Sequence, residues 1–278
     1  ATFFYHNEDR FMKKTEVVII GGGPGGAATA IHLAKKGIKS IIIEKDLFPR
    51  FHIGESMTGE CGQSVRDLGL EAEMEKVPKT IKWGVTVYGQ SGTGTFWLPV
   101  MKRDENGQLQ KNSTWQVKRS DFDRIVLDKA VKEGAELILG KATKVLQKED
   151  GTVYGVEVRL ENGDLETIEA DVLVDASGQT TFLSTTGIAG KKERGKYDRQ
   201  LAIYSHVKGA RRDDEDNTLI FYEQKNHWAW FIPIDNETVS IGVVTPPIII
   251  GNQMKRCGIS ICARCIRLTR HFLSVSRM

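Results

Sequence analysis

The chain has 278 residues, 40% hydrophobic and 27% charged, enough for one large globular body or two interleaved ones. Its 39 basic and 36 acidic side chains leave a net charge of +3 and are interspersed rather than blocked, which excludes a basic nucleic-acid face or a polybasic membrane patch. No apolar run of about 18 residues can cross a bilayer, and the four cysteines, Cys61, Cys257, Cys262 and Cys265, do not make a disulfide framework; a cytoplasmic protein with reduced thiols and a small-molecule partner is expected.

The segment "MKKTEVVIIGGG" reads as a natural start at Met12, with residues 1–11 upstream of it. Thr15 to Ile20 is an apolar, β-branched run of the kind a strand buried on both faces requires. After "GGGPGG", Ala27, Ala30, Ile31 and Ala34 recur at helical spacing until Gly37 stops the helix, and "KSIIIEK" is a second buried strand ending at Glu44. Strand, helix and strand make one βαβ unit. A helix is expected in "GECGQSVRDLGLEAEME", and strands in "WGVTVYG" and "TGTFWLPV". "RSDFDRIVLDKAVKEG" predicts a helix capped by Ser120 with Asp123 three residues on, burying Phe122, Ile125, Val126, Leu127, Ala130 and Val131. "AELILG" follows as a strand. A β-meander then turns at "EDG" and "ENGD" and ends in the buried run "DVLVDASG". "RQLAIYSHVKG", "NTLIFYEQKNHWAWFIP" and "ETVSIGVVTP" predict a second, antiparallel sheet.

Gly21, Gly23 and Gly26 fit G-x-G-x-x-G between a strand and a helix, and Glu44 follows about 20 residues on at the next strand's end. Such glycines let the backbone turn tightly and approach a pyrophosphate, the helix N-terminus supplies N–H donors, and the carboxylate can accept from ribose hydroxyls. "FPRFHIGES" then offers Arg50, His52, Glu55 and Ser56, around Gly54, to a flavin or phosphate. "VKRSDFDR" places Arg119 at a helix start, and "VLVDASGQ" places Asp175 and Gly178 at a strand's carboxyl end, where ligands of α/β folds collect.

In this order, "GGGPGG…E", "FPRFHIGES", "QVKRSDFDRIVLDKA" and "VDASGQ" resemble the FAD-binding framework shared by flavin-dependent halogenases, geranylgeranyl reductases and aromatic hydroxylases, over about residues 13 to 245. The resemblance implies an α/β fold in which a Rossmann-like parallel FAD-binding sheet of the glutathione-reductase/hydroxylase type is interleaved with an antiparallel β substrate-binding sheet. It implies a discontinuous FAD-binding domain, residues 12–80 and 115–190, a substrate domain, residues 81–114 and 191–247, and an atypical tail, residues 248–278. FAD would be held by Gly21, Gly23, Gly26, Glu44, Arg50, Gly54, Glu55, Ser56, Arg119, Asp175 and Gly178.

Trp228, Trp230, Ile232 and Pro233 match W-x-W-x-I-P, which resembles the halogenase signature within this superfamily. On a strand both indoles point to one face, as core or as the wall of a reaction chamber. In the halogenase family, FADH2 from a separate flavin reductase, dioxygen and chloride or bromide give hypohalous acid, and an aromatic substrate, free or carrier-protein-tethered, receives the halogen. Lys82, in "TIKWGVTV", matches the family's catalytic lysine, with Lys79 as the nearby competitor; an amine between Ile81 and Trp83 would be partly desolvated and its pKa lowered. A FAD-dependent hydroxylase or reductase with core tryptophans, and a noncatalytic flavin-binding remnant, are the alternatives. The family's later flavin-binding segments are not recognisable after Val244, so a C-terminal truncation is expected. Cys257, Cys262, Cys265 and His271 lack regular zinc spacing, and no metal is expected.

Overall fold

The computed structural model describes residues 12–90, 94–193, 195, 200–212, 216–224 and 226–246. The expectations for residues 1–11 and for the tail with Cys257, Cys262, Cys265 and His271 lie outside the described residues. In chain order the elements are β1 (Met12–Ile20), α1 (Pro24–Ala34), β2 (Ser40–Glu44), α2 (Gly59–Asp67), α3 (Glu71–Met74), β3 (Lys79–Lys82) and β4 (Gly84–Tyr88). Then follow β5 (Thr95–Pro99), β6 (Met101–Arg103), β7 (Leu109–Lys111), β8 (Thr114–Val117), α4 (Arg119–Lys132), β9 (Glu136–Gln147) and β10 (Val153–Leu160). β11 (Leu165–Asp175), α5 (Phe182–Thr185), β12 (Leu201–Lys208), β13 (Thr218–Gln224), β14 (His227–Pro233) and β15 (Thr238–Thr245) complete the order. Among the described residues no helix is long and apolar enough to cross a membrane.

The chain forms two units, one of Ala1–His52 with Arg119–Glu193 and one of Ile53–Lys118 with Arg194–Met278. In the first, β2 and β11 flank β1 in parallel and the start of β9 adds to β2 in parallel. β10 runs antiparallel to the remainder of β9 and to the first residues of β11, so the pairings close into a ring. "AELILG" and the first meander strand are thus one strand of 12 residues, long enough to serve both the parallel layer and the meander. Val18, Ile20, Ile41 and Ile43 pack against Val156, Val158 and Ile168 of the meander, while Ile19 faces α1 at Gly26. Two expectations fail here. Val131 is exposed, because the buried stripe of α4 ends at Ala130, and Val172 is 52% exposed, because β11 beyond Ala170 pairs only with β1 among the described strands.

The second unit holds a six-stranded sheet, β12-β15-β14-β13-β4-β5, antiparallel except where β13 meets β4. Residues 53–80 and 115–118 belong to this unit, whereas the resemblance implies them in the FAD-binding domain. The reason is backbone pairing: Val117 N donates to Glu55 O (3.0 Å), Met57 N donates to Trp115 O (3.1 Å), and β3 pairs with β8. The expected single helix is two, α2 and α3, broken at Gly69 (φ +74°).

Asp235 closes the β14–β15 hairpin, its Oδ1 accepting from Glu237 N (3.0 Å) and Thr238 N (2.8 Å) and its Oδ2 meeting Lys118 Nζ at 2.9 Å. Burial works to raise its pKa, but the Lys118 bond and the two N–H bonds prevail and lower it to about 2. A carboxyl with a folded pKa below its unfolded value stabilises above the unfolded value and loses that contribution as pH falls through the folded one. Asp235→Asn should therefore lower stability at pH 7 by roughly 1–2 kcal/mol and flatten the loss between pH 3.8 and about 2, read by urea unfolding across pH; identical curves for both proteins would contradict the assignment.

Candidate functional site

The first unit carries a glycine turn at the mouth of α1. Gly21 has φ +107°, and a Cβ on Gly26 would stand 1.9 Å from Gly21 O, so the turn requires glycine at both positions. Gly23 is the N-cap of α1, Pro24 occupies its first turn, and no acidic side chain does, leaving the helix mouth receptive to an anion. Glu44 is buried and its two oxygens accept from Gly22 N (2.7 Å) and Asp46 N (2.9 Å), each keeping a lone pair for a hydroxyl donor.

Arg50 reaches the same mouth: its Nη2 lies 3.7 Å from where a Gly23 Cβ would be. Arg50 Nη1 is 3.4 Å from Asp123 Oδ2, and Arg119 grips both oxygens of Asp123 at 2.6 and 3.1 Å. Asp123, fully buried, therefore does not cap its helix with Ser120 as expected; α4 begins at Arg119, and the carboxylate holds two guanidinium groups. Arg50 Nε also lies 3.9 Å from Asp46 Oδ2, so the two guanidinium groups share two carboxylates. At the end of β11, Asp175 Oδ1 accepts from Ser177 N (3.0 Å) and Ser177 Oγ (2.6 Å), and Oδ2 accepts from Leu183 N (2.8 Å). Burial pushes this carboxyl up, but the three hydrogen bonds outweigh it and hold its pKa below the ordinary value. Gly178 (φ +63°) lies in the turn that follows.

The second unit carries the tryptophans and the lysine. Trp228 and Trp230 lie on one face of β14, their rings 5.8 Å apart, as the period of two requires. Trp230 is buried with Ile232 and Val244 and donates from Nε1 to Ser240 Oγ at 3.1 Å. Strand register puts Gly242, Ser240, Tyr204 and His206 on that same face. The segment from Ile53 to Met57 crosses it. Ile53 packs on the tryptophan cluster, Glu55 Oε1 sits 2.6 Å from His206 Nε2, and Ser56 Oγ meets Thr218 Oγ1. The side chains of Glu55 and Ser56, expected at the cofactor, are thus both engaged within this unit; Gly54 (φ +103°) supplies the bend before them.

Lys82 is 5% exposed and donates to Ser56 Oγ and to Met57 O, both at 2.9 Å. Burial lowers its pKa from 10.5 to about 8. The flanking residues do not cause this: Ile81 and Trp83 are exposed, and alternation along the strand turns Lys82 inward instead. Lys79, the competitor, is paired with Glu75 at 3.1 Å. No sequence motif marks His206, Thr218, Gln116 or Asp123 as site residues. Only Asp123, spaced i,i+4 from Arg119, carried a local signal.

The family model described as FAD dependent oxidoreductase matches residues 16–241. Over 238 residues the chain is 44% identical to the 1H-pyrrole-2-carbonyl-(peptidyl-carrier protein) brominase of Pseudoalteromonas luteoviolacea, covering 84% of this chain and 56% of that protein. It is 32% identical over 253 residues to the corresponding chlorinase of Pseudomonas fluorescens, covering 83% of this chain and 55% of that one. The solved flavin-dependent brominase Bmp2 superposes with a TM-score of 0.80 at 42% identity, over 87% of this chain and 58% of that chain. The chain spans a little over half the length of these relatives.

Two outcomes follow from this geometry. A Cβ at Gly242 would stand 2.1 Å from Trp230 Cζ2, so Gly242→Ala should cost about 1–3 kcal/mol in thermal unfolding and alter the near-ultraviolet tryptophan dichroism; an unchanged melt and spectrum would refute the packing. The Lys82 amine, followed by NMR of labelled lysine and assigned with Lys82→Arg, should titrate at about pH 8, and a midpoint near 10.5 would refute its desolvation.

Proposed function

The chain belongs to the FAD dependent oxidoreductase family, and on that premise we propose that its protein is a flavin-dependent halogenase acting on an electron-rich aromatic ring, a pyrrole-2-carbonyl group on a peptidyl carrier protein. The observation that carries this reading is Lys82: a buried amine with a pKa of about 8, on the unit that bears the W-x-W-x-I-P strand, with two N–H groups already committed. A hydroxylase has no evident use for such an amine. The pyrrole and its carrier come from the names of the relatives at 44% and 32% identity. Reduced flavin from a separate reductase and a cytoplasmic setting complete the proposal.

The first unit's residues fit FAD: the open position at Gly23, a first helical turn without an acidic side chain and the guanidinium groups of Arg50 and Arg119 suit a pyrophosphate, and Glu44 suits a ribose. Gly21, Gly26, Asp175 and Gly178 shape the loops around it. When bound and reduced, FAD with dioxygen supplies the oxidising equivalents that convert chloride or bromide to hypohalous acid.

Lys82 then handles protons. As an ammonium it donates its third N–H to the hypohalous oxygen, which leaves as water when the ring carbon takes the halogen; the resulting amine accepts the proton that the ring carbon loses. Hypohalous acid and arene thus give aryl halide and water, with the ammonium restored. A pKa of about 8 keeps both states within reach near neutral pH. Trp228 and Trp230 contribute an apolar wall that limits the water competing for the halogen.

Full-length protein supplied with a flavin reductase, NADH, bromide and pyrrolyl carrier protein or free pyrroles and phenols should yield brominated products. Lys82→Ala should lose about 10²-fold or more of that rate while retaining flavin. Hydroxylated products without bromine would overturn the reading.

A further inference from the structure

The hydrogen bonds beyond Lys82 have a direction that their chemistry fixes completely. Gln116, fully buried, places Nε2 at 2.8 Å from Pro233 O and 2.9 Å from Asp216 O. Carbonyl oxygens only accept, so both amide protons are spent there and the Gln116 amide has one possible orientation. Its Oε1 must then accept from Thr218 Oγ1. Thr218 has a single hydroxyl proton, so its contact with Ser56 Oγ is one in which Ser56 donates. Ser56 has likewise spent its proton and can only accept from Lys82. Met57 O, a carbonyl, also only accepts. Lys82 therefore donates at both contacts whether it is charged or neutral. One tetrahedral position on its nitrogen remains, an N–H in the ammonium and a lone pair in the amine.

We propose that Ser56, Thr218 and Gln116 are positioning residues for Lys82, a one-way hydrogen-bond chain anchored on the backbone of Asp216 and Pro233 that aims the remaining position of the Lys82 nitrogen at the halogen carrier. The proposal deepens the halogenase reading and rests on it for the carrier's identity. Because the chain ends in an amide and two peptide carbonyls, it cannot carry a proton away from Lys82, so the proton taken from the ring is kept for the next turnover. Its end at Pro233 also ties the lysine to the last residue of the W-x-W-x-I-P strand. Lys82 has no carboxylate ion-pair partner among the described residues, and its two partners there are the neutral acceptors Ser56 Oγ and Met57 O.

The test is the Lys82 titration by NMR in variants of the full-length protein, which needs no turnover. Ser56→Ala removes an acceptor from the ammonium and should lower the midpoint by about one pH unit. Thr218→Val frees the Ser56 hydroxyl to donate to the neutral amine and should lower it in the same direction, while Thr218→Ser should leave it at the wild-type value. Ser56→Ala and Thr218→Val should each reduce kcat for halogenation about tenfold, with KM unchanged. A wild-type midpoint in both folded variants would overturn the proposal. If Thr218→Val does not fold, Ser56→Ala against Thr218→Ser decides it by the same criterion. Should the wild-type protein make no halogenated product, the halogenase reading falls, while the titrations still decide whether these residues position Lys82.

Discussion

Burying an ammonium that has no counter-charge among the described residues is the constraint around which the second unit is organised. Removal from water penalises the charged form, and without a carboxylate the protein can offset that only by hydrogen bonds and a lowered pKa. Both are seen at Lys82. The two acceptors come from one short segment, Ser56 and Met57, which is itself held by backbone bonds to β8 and by side-chain contacts on the tryptophan face. A change in the path of that segment would move the acceptors and leave the lysine costly to bury.

The first unit solves the opposite problem. There the carboxylate of Asp123 is buried, and it is compensated twice, by Arg119 and by Arg50. Truncating one partner of such a group leaves a buried charge unpaired, so the three residues constrain one another. Arg50, which also meets Asp46, reaches the mouth of α1, where a guanidinium can meet an anionic ligand. One unit pairs its buried Asp123 with fixed cations, and the other buries an amine whose pKa falls to about 8.

What the sequence made legible was local. The β-branched runs ending at Ile20 and Glu44, the glycine turn between them and the shared face of Trp228 and Trp230 all follow from periods of two or 3.6 and from glycine sterics, and the structure has them where the sequence put them. The non-local facts were hidden. Nothing in "HIGES" shows that Glu55 will meet His206 or that Ser56 will meet Thr218, because 151 and 162 residues separate these pairs and no local pattern records such contacts. Asp123 looked like a capping residue because its spacing from Ser120 fits a cap, yet electrostatics claimed the carboxylate. The sequence points to a desolvated Lys82 through its neighbours Ile81 and Trp83, yet strand alternation turns both of these outward and Lys82 inward.

The most direct measurement is the mass spectrum of the aromatic product formed by the full-length protein from reduced FAD, bromide and isotopically labelled dioxygen. A product carrying the bromine isotope doublet and no labelled oxygen, lost in Lys82→Ala, is the predicted result. A product carrying labelled oxygen and no bromine would contradict the account.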